Sequence, residues 1–222
     1  MKFARPALAI ALGASLIIAG TADAKAKPKP PKPVCNLLTD ATGDANVLGV
    51  GDPSNDAIDV VGGDIAADKK LITAVIRVKK LAKTSPMSPT GMLWSLDFTA
   101  DDVVFSFAAH TDPTGAVAYQ ASYKTALQGS LYDGGATGTF DLAKSEIHVT
   151  APVSLLAAQA TIKVGTVLSA LAAKGSMDIV VPDPSKKVAA GGTIEDVSLG
   201  LDSAASDKTY KVGTLSCVTP GK

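Results

Sequence analysis

The chain has 222 residues with 21 basic and 21 acidic side chains, a formal net charge of zero that gives no general electrostatic pull toward nucleic acid. Two histidines and two cysteines leave little material for a hydrolytic triad, a zinc site or a CxxC redox motif. No GxSxG, HExxH or GxxxxGK[ST] stretch occurs either, so no catalysis is expected.

Residues 1–24 run from a basic start with Lys2 and Arg5, through an apolar stretch over 7–20, to a small-residue end, the order of an export signal. That stretch is too short to span a bilayer core of about 30 Å. Ala22-Asp23-Ala24 and Ala24-Lys25-Ala26 both fit the small-x-small rule. Cleavage is therefore expected after Ala24 or Ala26, and the mature chain is expected to be secreted with no membrane span. Without residues 1–24, which carry Lys2, Arg5 and Asp23, basic and acidic side chains stand at 19 and 20. Residues 25–34 alternate lysine with proline, which fixes φ and removes backbone donors, so they read as a stiff solvated tether. From Val34 onward the balance is 15 basic to 20 acidic side chains, mildly acidic.

In an exported chain Cys35 and Cys217 are expected to form one disulfide. Closing so long a loop stabilises by roughly 5 kcal/mol in the chain-entropy account. About 185 residues follow the tether, enough for one core and too few for two. The expected organisation is thus a signal peptide over 1–24, a tether over 25–34 and a single domain over 35–222.

The stretch 35–65 holds the densest set of side-chain oxygens: Asp40, Asp44, Asp52, Asn55, Asp56, Asp59 and Asp64. Calcium is a hard cation that takes six to eight oxygens from such Gly-bent loops. Asp40, Asp44, Asp56 and Asp59 are the candidate ligands of a structural calcium. Asp59 stands within the apolar pattern Ala57-Ile58-Asp59-Val60, where a buried charge must be paired, hydrogen-bonded or coordinated. The alternative is that these residues only make turns and cap backbone donors.

From Ala57 onward short alternating segments are separated by turn residues, the pattern of an antiparallel sandwich. Strands are expected over 57–65, with a bulge or close approach at Gly62-Gly63, and over 71–79, where Ile72, Ala74, Ile76 and Val78 share a face. The loop 83–91 carries two prolines and cannot continue a ladder. Strands over 92–99, 102–110 and 116–124 form an aromatic-bearing meander, with a turn at Ala100-Asp101. Asp97, Asp101 and Asp102 at that turn have backbone reasons to be there. Trp94 shares a face with Met92, Leu96 and Phe98, the company of a core residue. Residues 128–143 read as a glycine-rich crossing followed by a strand, 145–151 as a strand with His148 on its polar face, and 153–160 as a short helical turn. A strand is expected over 166–174, another over 196–201, a polar turn over 201–207 and a last strand over 209–217.

The order Asp40-Ala-Thr-Gly-Asp44-Ala45, then Ala57-Ile-Asp59-Val60, a Lys69-Lys70 turn and 71–81 resembles the opening of secreted β-sandwich domains akin to family-nine carbohydrate-binding modules and the DOMON-like group. The tail Leu201-Asp202-Ser203-Ala204, then Tyr210-Lys-Val-Gly213 and Cys217, is similar to that of small exported actinobacterial proteins of unknown role. The resemblance implies a jelly-roll-like sandwich, an immunoglobulin-like one being the other arrangement the strand pattern admits. It also implies structural calcium and, in the carbohydrate-binding members, a sugar held by aromatic rings. Tyr119 and Tyr123 are the candidate ligand contacts. The functional expectation is a non-catalytic extracellular binding module for cell-wall or extracellular polysaccharide; the alternative is a structural or adhesion protein that recognises another protein.

Overall fold

The computed structural model describes residues 31–47, 56–85, 91–125, 128–133, 135–179 and 197–221. The expected export signal and most of the tether lie outside them, as do Asp52 and Asn55. Among the described residues no helix is long and apolar enough to cross a membrane.

Among the described residues thirteen strands and one short helix follow in chain order. They are β1 (Leu38–Thr39), β2 (Asn46–Val47), β3 (Val60–Ala67), β4 (Leu71–Val78), β5 (Gly91–Ala100), β6 (Val103–Thr111) and β7 (Val117–Thr125). After them come β8 (Gln128–Asp133), β9 (Thr137–Asp141), β10 (Glu146–Pro152), α1 (Val153–Leu156), β11 (Val167–Ile179), β12 (Val197–Ser206) and β13 (Tyr210–Lys211). A five-stranded sheet runs β1-β3-β4-β10-β9; an eight-stranded one runs β2-β12-β11-β5-β6-β7-β8, with β13 on the end of β11. All strand pairs are antiparallel, and the two sheets pack as a sandwich.

Alternation fills the core. Ile72, Ala74, Ile76 and Val78 of β4 and Ile147 and Val149 of β10 point inward from the smaller sheet, opposite Met92, Trp94, Leu96 and Phe98 of β5 and Phe105 and Phe107 of β6. Trp94 meets Phe140 of β9 edge to face across the sandwich, ring centres 5.4 Å apart. Phe98 lies against both Phe105 and Phe107. Each such side chain, fully buried, contributes roughly 1.5–3 kcal/mol of hydrophobic stabilisation.

Three departures from strict alternation position the site. Gly62 ends a bulge at the start of β3, and at Gly63 an added Cβ would lie 2.9 Å from Leu96 Cδ1. At Gly175 of β11 an added Cβ would lie 2.1 Å from the Ile58 carbonyl oxygen, so the chain before β3 runs directly across the inner face of the larger sheet. Trp94 Nε1 donates to the Ala57 oxygen at 2.8 Å and fixes that crossing. The β5–β6 turn falls at Asp101-Asp102, both in the left-handed region (φ 48° and 62°), one residue later than the expected Ala100-Asp101.

Cys35 and Cys217 are bonded, with Cα atoms 5.3 Å apart, and Val34 bridges to Ser216 beside them. Two expectations near the C-terminal end give way. The stretch read as a polar turn over 201–207 continues β12 through Ser206. The last strand is only Tyr210–Lys211, because the chain turns at Gly213 with φ at 85°.

Candidate metal centre

The N-terminal segment crosses from one sheet to the other. Leu38 and Thr39 extend the edge of the smaller sheet against Gly63 and Gly62, and Asn46 and Val47 extend the edge of the larger one against Leu201 and Gly200. The loop between them carries Asp40 and Asp44. It sits over the inward crossing at 56–59 and over the start of β3, held by the Asp40 N–H on the Val61 oxygen at 3.2 Å.

On β12, Asp202 and Ala204 are buried while Leu201, Ser203 and Ala205 are exposed. Asp202 faces inward opposite Gly175, at the register where the main chain of Ile58 passes. One oxygen from each of Asp40, Asp44 and Asp202 lies within 4.8 Å of the other two. Calcium–oxygen bonds of 2.3–2.6 Å put ligands on opposite sides of one ion about 5 Å apart, so the three fit around a single cation.

Asp59 lies beside this group, close enough to Asp44 to feel its charge. It is 1% exposed, and its Oδ2 accepts the Gly43 N–H at 2.6 Å, which directs the group into the Asp40–Asp44 loop. Its Oδ1 is buried with no hydrogen-bond partner, and so is Asp40 Oδ2, whose other oxygen takes the Ala41 N–H at 2.9 Å. A bare buried carboxylate oxygen costs several kcal/mol unless something positive meets it.

The electrostatics agree. Burial raises the pKa of Asp59 above its ordinary value; the Gly43 N–H and Lys79 oppose this, while Asp44 and Asp56 add to it. Burial likewise raises Asp202, against the N–H groups of Val60 and Ser203 and with the charges of Asp44 and Asp40. Those two amides bond Asp202 Oδ2 and Oδ1 at 2.6 and 2.8 Å. The set is thus several acidic groups pressed together.

Of the residues expected to bind calcium, Asp40 and Asp44 come together and Asp59 reaches their loop. Asp56 instead pairs with Lys79 Nζ at 2.8 Å, the same ammonium lying 4.0 Å from Asp59 Oδ2. Asp64 lies on the opposite face of the smaller sheet, bonded to the Leu37 N–H and to Arg77. Asp202 was not among the expected ligands; the small residues around it and the exposed Leu201 before it give no sign in the sequence that it turns inward.

Tyr119 and Tyr123 stand on the inner face of β7, partly buried against the core. The Tyr119 ring closes on β9: a Cβ added at Gly138 would lie 2.5 Å from its Cδ1 and Cε1. The chain matches no protein-family model and no curated protein.

Proposed function

We propose that this protein is a non-catalytic extracellular binding module whose sandwich is clasped by a calcium ion at Asp40, Asp44, Asp59 and Asp202. The observation that carries the reading is the pair of bare buried oxygens, Asp59 Oδ1 and Asp40 Oδ2, at a cluster already holding three converging carboxylates. An all-oxygen, multiply anionic set suits a hard cation, and the residues come from three separate stretches, so the ion acts as a clasp on the fold. The disulfide is in keeping with life outside the cytoplasm.

For the ligand, the reading is a cell-wall or extracellular polysaccharide on the outer face of the larger sheet. There the partly exposed Thr99, Ser106 and Gln120 stand on adjacent strands. Sugar hydroxyls would donate to such a face. The inward rings of Tyr119 and Tyr123 support this role less well. A protein partner is favoured instead by β9, an edge strand whose paired neighbour is β10.

Thermal melts test the clasp. Calcium at 100 times its Kd should add about 2.7 kcal/mol of stability relative to chelator, and Asp44→Ala or Asp202→Ala should abolish that gain. Identical melts in calcium and chelator would overturn the reading.

A further inference from the structure

The disulfide and the carboxylate cluster hold the same piece of chain, beside the buried Leu37 and Leu38 and the Leu37 bonds to Asp64 and Ser206. The strap over 34–47 is tied at its start by Cys35–Cys217, with Val34 N–H on the Leu215 oxygen at 2.8 Å and Cys217 N–H on the Val34 oxygen at 3.2 Å. Its own ladders are short, two residue pairs on each sheet. Of the four carboxylates, Asp40 and Asp44 ride on the strap, whereas Asp59 and Asp202 belong to the body. Cys35 precedes Asp40 by only five residues.

Resting on the calcium reading above, we infer that the disulfide sets the affinity of this site, which makes calcium binding redox-dependent. While the sulfurs are joined, Asp40 and Asp44 are presented to Asp59 and Asp202 at high effective concentration, and binding need not bear the cost of ordering a loose terminus. Cys217 is exposed and Cys35 partly so, which leaves the bond open to a dithiol. A thiolate of that dithiol attacks one sulfur, breaking the Cys35–Cys217 bond and forming a mixed disulfide; its second thiolate then displaces the remaining cysteine. Two electrons pass to the protein with two protons, giving two cysteine thiols and the oxidised, cyclic disulfide of the reagent. Linkage is reciprocal, so bound calcium resists this reduction by the factor that reduction weakens calcium.

Calorimetric titration of calcium into the full chain tests it, using oxidised protein, dithiol-reduced protein and the Cys35→Ser/Cys217→Ser variant. Trp94 emission is recorded in each to confirm that the sandwich is intact. The last two should bind calcium about tenfold more weakly. Equal affinity in oxidised and reduced protein overturns the coupling while leaving the calcium reading standing. No calcium heat in oxidised protein overturns the calcium reading and the coupling with it. If the reduced forms unfold, the oxidised protein is equilibrated in dithiol/disulfide buffers. Calcium should then move the midpoint about 30 mV more negative, the two-electron equivalent of tenfold, and an unmoved midpoint overturns the proposal.

Discussion

Two buried aspartates, Asp59 and Asp64, each 1% exposed, meet opposite fates five residues apart in the chain. Asp64 is complete: Oδ1 accepts the Leu37 N–H at 2.9 Å and Oδ2 pairs with Arg77 Nη1 at 2.7 Å. Arg77 Nε goes on to Glu146 Oε1 at 2.9 Å, and Glu146 Oε2 meets His148 Nε2 at 3.3 Å. Asp59 has one amide and a lysine at 4.0 Å, and is crowded by Asp44 and Asp56. The first region carries its own guanidinium; the second leaves Asp59 Oδ1 bare, the oxygen that the proposed calcium would meet. What distinguishes the ion pair from the proposed metal centre is therefore which oxygens the protein leaves bare.

The largest effect expected from this contrast is at Arg77. Arg77→Ala strands Asp64 without its counter-charge and should cost about 3–5 kcal/mol in denaturant unfolding. Calcium should not restore that loss, since Asp64 lies outside the cluster; restoration would erase the distinction between the two regions.

Asp59→Asn should cross sign. In chelator the variant removes a buried, repelled charge and should be more stable than the parent at pH 7 by on the order of 1–2 kcal/mol. In calcium it loses a ligand and should be less stable by a similar amount. A variant less stable in both conditions would show that Asp59 is satisfied without metal.

The pH dependence should also split. A raised folded pKa means that the stabilising contribution of Asp59 is complete below the ordinary aspartate value of 3.8 and is lost as pH rises through the folded value. Burial alone would raise Glu146, but the bonds from Arg77 and His148 outweigh it and hold its pKa below 4.5. Its contribution is therefore present above 4.5 and lost as pH falls through the lowered value. Chelated parent minus Asp59→Asn should fall with rising pH, while parent minus Glu146→Gln should rise.

The smallest effect is at Lys79. Lys79→Gln removes a positive charge beside the cluster and should tighten calcium about two- to threefold at low salt, a difference that high salt erases.

Much of this fold is legible in the sequence, because its central strands alternate large apolar residues with polar ones. Ile72–Val78, Met92–Phe98 and Val103–Phe107 all declare their faces. β12 does not, since small alanines and serines around Asp202 give too little hydrophobic contrast, and the stretch reads as a turn. The two-residue strands β1 and β2 are too short to show a period at all. Three of the four carboxylates were legible for a related reason. Local density exposes Asp40, Asp44 and Asp59, whereas Asp202 arrives through strand pairing from 142 residues beyond Val60, whose N–H it accepts. Density likewise suggested Asp56, which the fold gives to Lys79.

The chain's single tryptophan offers the most direct test. Trp94 bonds the Ala57 oxygen, and two residues span at most about 7 Å to Asp59, so a lanthanide in the cluster lies within reach of its excitation. Terbium added to the full chain and excited through Trp94 should give sensitised emission that calcium displaces. The emission should be lost in Asp202→Asn and kept in Asp56→Asn. Emission that survives Asp202→Asn, or none from the parent, would contradict a cation held between the strap and β12.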